Sequence, residues 1–109
     1  MFYISSDITL HSPLGLEATA TLVAKTLGLP PFVQDASGRW EEQIVFVSRC
    51  LGLEFVFGHP DDAPPNEYGL SIDSLPSGTP YDGTEKEVDA TRYVIALLSQ
   101  ARELQASPG

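Results

Sequence analysis

Three β-rich runs in the middle of the chain constrain the fold more than any other feature. Trp40–Arg49, Leu53–Gly58 and Tyr68–Asp73 are rich in Val, Ile, Phe and Tyr, the residue types that suit a pleated, half-buried surface. The connections between them, residues 50–52 and 59–66, are short and contain Gly or Pro. Since short turns join antiparallel neighbours, we expect an antiparallel meander at the centre of the fold.

Alternation within the second and third runs predicts which face of the sheet is buried. Successive side chains of a strand point to opposite faces. The predicted core positions are Leu53, Phe55, Phe57, Tyr68, Leu70 and Ile72. The opposite face carries Glu54, Val56, Ser71 and Asp73, so we expect it to be more exposed and acidic.

The first run is ambiguous, because residues from Glu41 to Leu51 could instead form one helix. We favour a strand, since Val, Ile and Phe dominate the run and β-branched side chains lose rotamer freedom in a helix.

Both ends of a first helix are predicted after an initial strand at Phe2–Leu10. Ser12 is the expected N-cap and Pro13 the first helical residue, where a missing N–H costs nothing. The helix should end near Leu27, with Gly28 in the left-handed conformation that terminates helices. A short additional strand is expected at residues 32–34.

A second helix is predicted near the end of the chain. Thr84 and Glu87 match the capping box, in which each side chain bonds a free backbone N–H of the other residue. Apolar residues then recur at helical spacing as far as Gln105, leaving residues 106–109 as a flexible tail.

The resulting order, β-α-(β)-β-β-β-α, indicates a single α+β domain spanning residues 1–109. We expect a mainly antiparallel sheet of four to five strands, with two helices packed on one face. A chain of 109 residues is long enough for one hydrophobic core but not for two.

Charge is the most informative bulk property. Fifteen acidic residues against six basic ones give a net charge of −9, which argues against nucleic acid or an anionic membrane as a direct partner because both would repel the chain. Between residues 59 and 90 there are eight acidic residues and a single base, Lys86. We therefore expect an acidic surface suited to a basic partner.

The sequence contains neither a recognisable targeting signal nor a pair of cysteines. The first residues lack the basic and apolar regions of a secretory signal, and no apolar run reaches the length of a membrane span, so we expect a cytoplasmic protein. Cys50 is the only cysteine, which excludes an internal disulfide and a cysteine-based metal cluster within one chain.

No motif predicts catalysis, a cofactor or a metal. His59, Asp61 and Asp62 are close in sequence, but a loop with three prolines gives no reason for their side chains to converge on a metal ion. With only His11 and His59 available, no nucleophile and base can be paired. We expect no enzymatic activity, and no catalytic, cofactor-binding or metal-binding residues.

Several segments resemble a known family. They are the Phe2–Leu10 strand, the helix closing in Leu-Gly-Leu, the run LGLEFVFGHPDD, the run YGLSID, and the last helix containing TRYVIALLS. This layout is similar to that of small bacterial immunity proteins of polymorphic toxin systems, including those paired with contact-dependent or type VI secreted toxins. The resemblance implies a protein that binds and neutralises a cognate toxin, often with an acidic surface facing a basic enzyme such as a nuclease.

The charge pattern and the resemblance together predict a partner-binding surface. Its residues are Glu54, Asp61, Asp62, Glu67, Asp73, Tyr81 and Asp82. The free protein is expected to be a monomer or a dimer.

Two alternatives differ in class. One is a small-ligand-binding or enzymatic α+β domain with a pocket between sheet and helices that includes His11 or His59. The other is a homo-oligomeric module assembled through an open sheet edge or through Ile44–Val47.

Overall fold

The predicted meander forms the middle of the sheet in a computed structural model, which describes residues 2–37, 44–74 and 86–109. The strands are β1 (Phe2–His11), β2 (Val33–Gln34), β3 (Val45–Cys50), β4 (Leu53–Gly58), β5 (Glu67–Ser74), β6 (Lys86–Val88) and β7 (Gln105–Pro108). The helices are α1 (Leu16–Leu27) and α2 (Thr91–Leu98).

All seven strands belong to one sheet. Its order is β2-β3-β4-β5-β1-β6, and β7 pairs with β1 beside β6. Every pairing is antiparallel except the one between β1 and β6, which is parallel. The predicted fold class, α+β with a mainly antiparallel sheet, is confirmed, although the described residues form seven strands where four to five were expected.

A two-residue turn joins β3 to β4. Cys50 pairs with Leu53, and the turn residues Leu51 and Gly52 have φ angles of 53° and 75°. Two central residues with positive φ define the type I′ turn, whose twist matches that of the flanking strands. Since residues 45–50 form a strand, the alternative of a helix from Glu41 to Leu51 is wrong; Trp40 lies outside the described residues.

One face of the sheet carries the core, as the alternation predicts. Phe57 and Leu70 are paired across β4 and β5, and Leu70 is paired with Ile8 of β1. All three side chains are at most 2% exposed. Both helices pack on this inner face, contributing Ala20, Val23, Val94 and Leu98 to the same cluster.

The start of α1 differs from the prediction, whereas its end agrees. The helix begins at Leu16 after an N-cap at Gly15. The Ser12 hydroxyl accepts a hydrogen bond from the Leu14 N–H at 3.1 Å and another from the buried Thr19 hydroxyl at 3.0 Å. Ser12 therefore stabilises a tight turn before the helix, because a serine side chain bonds a nearby backbone N–H as readily in a turn as in a cap.

The helix ends as predicted. Gly28 has φ +71°, and both its N–H and that of Leu29 donate to the Ala24 carbonyl. This is the glycine-terminated geometry in which a residue without Cβ adopts the left-handed conformation at no steric cost.

The C-terminal part of the chain was predicted wrongly as one long helix. Residues 86–88 form β6, in register with Phe2–Ile4 of β1, and α2 begins only at Thr91. The helix start is stabilised by Asp89 and not by a capping box, because the Asp89 carboxylate accepts a hydrogen bond from the Thr91 N–H at 2.9 Å. The proposed cap Thr84 lies outside the described residues.

Residues 105–109 also differ from the expectation. The helix ends at Leu98, and Gln105–Pro108 form β7, which pairs antiparallel with Ile8–His11. Gly109 continues this contact by donating its N–H to the Asp7 carbonyl at 2.9 Å. The segment expected to be a flexible tail is thus an edge strand, and edge strands tolerate a proline such as Pro108.

Neither described helix is both long enough and apolar enough to cross a membrane.

Deleting residues 105–109 tests whether β7 stabilises the fold. We expect the deletion to lower the free energy of unfolding by about 2 to 6 kcal/mol, because four residue pairs with β1 are lost at about 0.5 to 1.5 kcal/mol per hydrogen bond. Urea denaturation measures the change. Unchanged stability is the result expected of a flexible tail and would contradict the assignment of β7.

Asp89 provides a pH-dependent test of the α2 start. Hydrogen bonds from the Thr91 hydroxyl and N–H, and from the Ser6 hydroxyl, hold the pKa of Asp89 below its ordinary value of 3.8. A carboxyl with a lowered folded-state pKa stabilises the fold above its unfolded-state pKa, and this contribution is lost as pH falls through the folded-state value.

The Asp89→Asn variant should therefore be less stable than the natural chain at neutral pH, and the difference should shrink as pH falls below about 3.8. Denaturation at several pH values measures this difference, and NMR titration of Asp89 gives its pKa directly. A pKa at or above 3.8 would contradict the hydrogen-bonding assignment.

Candidate functional site

Neither described helix covers the outer face of β1, β5, β6 and β7, because both pack on the inner face. Its outward positions are Tyr3, Ser5, Asp7, Thr9, His11, Glu67, Gly69, Ser71, Asp73, Glu87, Gln105 and Ser107. Each is half-buried or exposed. Four carry carboxylates and none is lysine or arginine; we call Asp7, Glu67, Asp73 and Glu87 the acidic sheet face.

Strand register determines how close these carboxylates lie. Asp7 is directly opposite Ser71, whose hydroxyl donates to Asp7 Oδ1 at 2.9 Å. Asp73 is two residues further along β5, which places it diagonally from Asp7 at about 7 to 8 Å. Asp73 is also directly opposite Glu54. Among the described residues Asp73 has no hydrogen-bond or ion-pair partner.

Glu67 lies at the other end of β5 and is paired. Its Oε1 is 2.9 Å from His11 Nε2, across the β1–β5 register. Six residues separate Glu67 from Asp73, so the acidic sheet face extends about 20 Å along the strand.

The part of the outer face formed by β3 and β4 is less accessible, although the Arg49 side chain there is 58% exposed. Val45 and Val47 are 5% and 9% exposed, and Glu54 is 2% exposed. Glu54 Oε2 accepts from Arg49 at 2.8 Å and 3.1 Å, so its charge is neutralised. Glu54 does share the outer face with Val56 and Asp73, as predicted, but the expectation that it is exposed there was wrong.

The loop between β4 and β5 presents two further carboxylates. Asp61 and Asp62 are exposed and lie in a turn, at the end of the sheet that also carries Glu67. His59 is used structurally: its Nε2 donates to the Pro64 carbonyl at 2.9 Å, and its ring lies edge-on to Tyr68. No group of three or more metal-ligating side chains occurs in residues 2–37, 44–74 and 86–109.

The helical layer has a different charge composition. Lys25 on α1, Arg92 on α2 and Arg102 in the turn after α2 are exposed. Exposed acidic residues on the same layer include Glu17 and Glu103. The described charges are therefore mixed on the helices and of one sign on the acidic sheet face.

The structure brings together only some of the predicted partner-binding residues. Asp73 and Glu67 share the outer face, the loop pair Asp61 and Asp62 adjoins the Glu67 end, and Glu54 is buried. Tyr81 and Asp82 lie outside the described residues. The prediction missed Asp7 and Glu87, which strand alternation identifies only once the inner face of β1 and the pairing of β6 are known.

A surface groove of about 330 Å³ lies between the Pro30-Pro31 segment and strands β2 and β3. Its lining includes Val33, Asp35, Val47 and Arg49. Neither histidine contributes to it, and its polar side chains form no nucleophile and base pair.

Comparison of the chain with protein-family models, with curated proteins and with solved structures found no match.

The unneutralised charge of Asp73 has a measurable cost in the free protein. Asp73→Asn should raise the free energy of unfolding by roughly 0.5 kcal/mol at low ionic strength, because the repulsion from Asp7, about 7 to 8 Å away, is removed. The gain should disappear in about 0.5 M salt, where the Debye length is near 4 Å.

Glu103→Gln is the matched control, since it removes one negative charge from the helical layer and should give no comparable gain. Chemical denaturation at two salt concentrations compares the variants. Equal effects of the two substitutions would show that Asp73 carries no special electrostatic cost.

Proposed function

We propose that the protein is a cytoplasmic immunity protein that binds a basic toxin domain and blocks it through the acidic sheet face. The observation that carries the proposal is the occurrence of four carboxylates, and no lysine or arginine, at the outward positions of β1, β5, β6 and β7. The resemblance of the sequence layout to immunity proteins of polymorphic toxin systems supports it independently of the charge.

Electrostatics explains what such a face does for binding. A surface of one sign accelerates association with a partner of the opposite sign, by 10- to 1000-fold at low salt. Binding would also relieve the repulsion around Asp73, so residues that weaken the free protein stabilise the complex. A toxin acting on nucleic acid needs a basic cleft, which an acidic strand surface can occupy in place of the phosphate backbone.

The size of the face limits what it can do alone. Three neighbouring strands give a width of about 14 Å, and about 20 Å of length gives roughly 300 Å². A stable complex buries about 800 Å² on each partner. The interface must therefore extend beyond the strands, and the exposed carboxylates Asp61 and Asp62 adjoin one end of the face.

The alternatives have less support from the geometry. The groove beside β3 lacks His11 and His59, which a ligand-binding or enzymatic domain was expected to use. For the homo-oligomeric module, Val45, Phe46 and Val47 are at most 9% exposed, so Ile44 is the one residue of the Ile44–Val47 segment that is available to a second copy.

Paired charge reversals test the proposal. The probe is the purified product of the reading frame adjacent to this protein's gene, since toxin and immunity genes would have to be inherited together. Asp7→Lys with Asp73→Lys should slow its association at least 100-fold at low salt, and the natural chain itself should bind more slowly as salt rises.

The control is Glu17→Lys with Glu103→Lys, which changes the net charge equally on the helical layer and should slow association only a few-fold. A third variant, Asp61→Lys with Asp62→Lys, tests whether the loop belongs to the interface. If the sheet and helix variants slow association equally, net charge alone explains the effect and the acidic sheet face is not the binding surface. Absence of any binding by the natural chain would reject the toxin assignment.

A further inference from the structure

Leu51 occupies an unfavourable position at the tip of the β3–β4 hairpin. Its φ of 53° lies in the left-handed region, and it is the only described non-glycine residue with positive φ. Its side chain is 94% exposed. Leucine has a steric cost in this conformation, and Asn is the residue that type I′ turns prefer before Gly.

No contact within the described structure compensates for this conformational cost. Single exposed hydrophobic residues are ordinary on protein surfaces, and four others are exposed by 40% to 69%: Val33, Ile44, Val88 and Tyr93. None of those four has positive φ. Leu51 differs because both its backbone conformation and its exposure are unfavourable, a combination that an interaction outside the chain would explain.

The hairpin holds Leu51 in a fixed place. Below the tip, Arg49 donates to the buried Glu54 carboxylate at 2.8 Å and 3.1 Å across the two strands. Phe55 is 7% exposed within the core, and Leu53 packs against it. A side chain presented by a two-residue turn between paired strands loses little conformational freedom on binding, which favours its use as an anchor.

Leu51 lies at the end of the sheet where the acidic sheet face carries Asp73. Leu53 is paired with Ser74, and Glu54 with Asp73. From the strand rise and spacing, the tip is about 10 Å beyond Asp73. A partner covering Asp73 and continuing past this end of the sheet would reach Leu51.

We propose that Leu51 is the apolar anchor of the interface and inserts into a pocket of the same basic partner, adjacent to the cationic surface that faces Asp73. This inference rests on the proposed function. Leu51 would add contact area that the acidic sheet face lacks, at the end of the sheet opposite the Asp61 and Asp62 loop. Apolar anchors surrounded by charged contacts are typical of tight protein interfaces.

The test is Leu51→Asn, which removes the anchor while improving the turn. The free variant should be at least as thermally stable as the natural chain, because Asn-Gly is the favoured type I′ pair. Its Kd for the adjacent gene product should rise roughly 10- to 100-fold, the loss expected for one buried leucine. The increase should appear in the dissociation rate and should be equal at low and high salt, unlike the effect of Asp73→Lys.

Tyr93→Gln is the control, since it removes a 69% exposed aromatic residue from the helical layer and should leave the Kd unchanged. If the natural chain binds and Leu51→Asn has the same Kd, the assignment of Leu51 as an anchor is wrong, and the proposed function still stands. No binding by the natural chain would overturn both. A melting temperature for Leu51→Asn clearly below that of the natural chain would show that Leu51 serves the fold.

Discussion

Pairing along both edges of β1 is the interaction on which the rest of the structure depends. One edge of this ten-residue strand pairs with β5, and the other pairs with β6 near its start and β7 near its end. Ile8 and Leu10, from its inner face, are at most 2% exposed. Because segments from the beginning, middle and end of the chain meet on one strand, β1 sets both the centre of the core and the composition of the outer face.

The same pairing determines which charged side chains lie on the outer face of the sheet. Side chains of β1 and its neighbours alternate, so their outward carboxylates are held on one surface, while Lys25, Arg92 and Arg102 lie with the helices and Arg49 lies on the outer face of β3, paired with Glu54. The outward positions remain accessible to water, where like-charge repulsion is small. On the outer face of β3 and β4, the buried carboxylate of Glu54 is neutralised by Arg49.

Local patterns in the sequence predict the elements whose signals lie within a few residues. The β3–β4 hairpin, the inner positions of β4 and β5, and the end of α1 at Gly28 were all confirmed. The start of α1 was wrong because Ser12 has the same chemistry in a turn as in a cap. Strand β6 was missed because three residues are too few to show a period, and Thr84 and Glu87 also fit a helix start. The buried Glu54 was missed because alternation predicts a face, not whether that face is covered.

By itself, the sequence determined the class of the fold and the excess of negative charge, since composition, alternation and turn residues act over short distances. Tertiary structure alone decided that residues 86–88 and 105–108 join β1, and hence that Asp7, Asp73 and Glu87 share a surface. The physical reason is that strand pairing is set by contacts between distant segments: a short segment satisfies its backbone hydrogen bonds on whichever strand edge is open, and no local pattern records which edge that is.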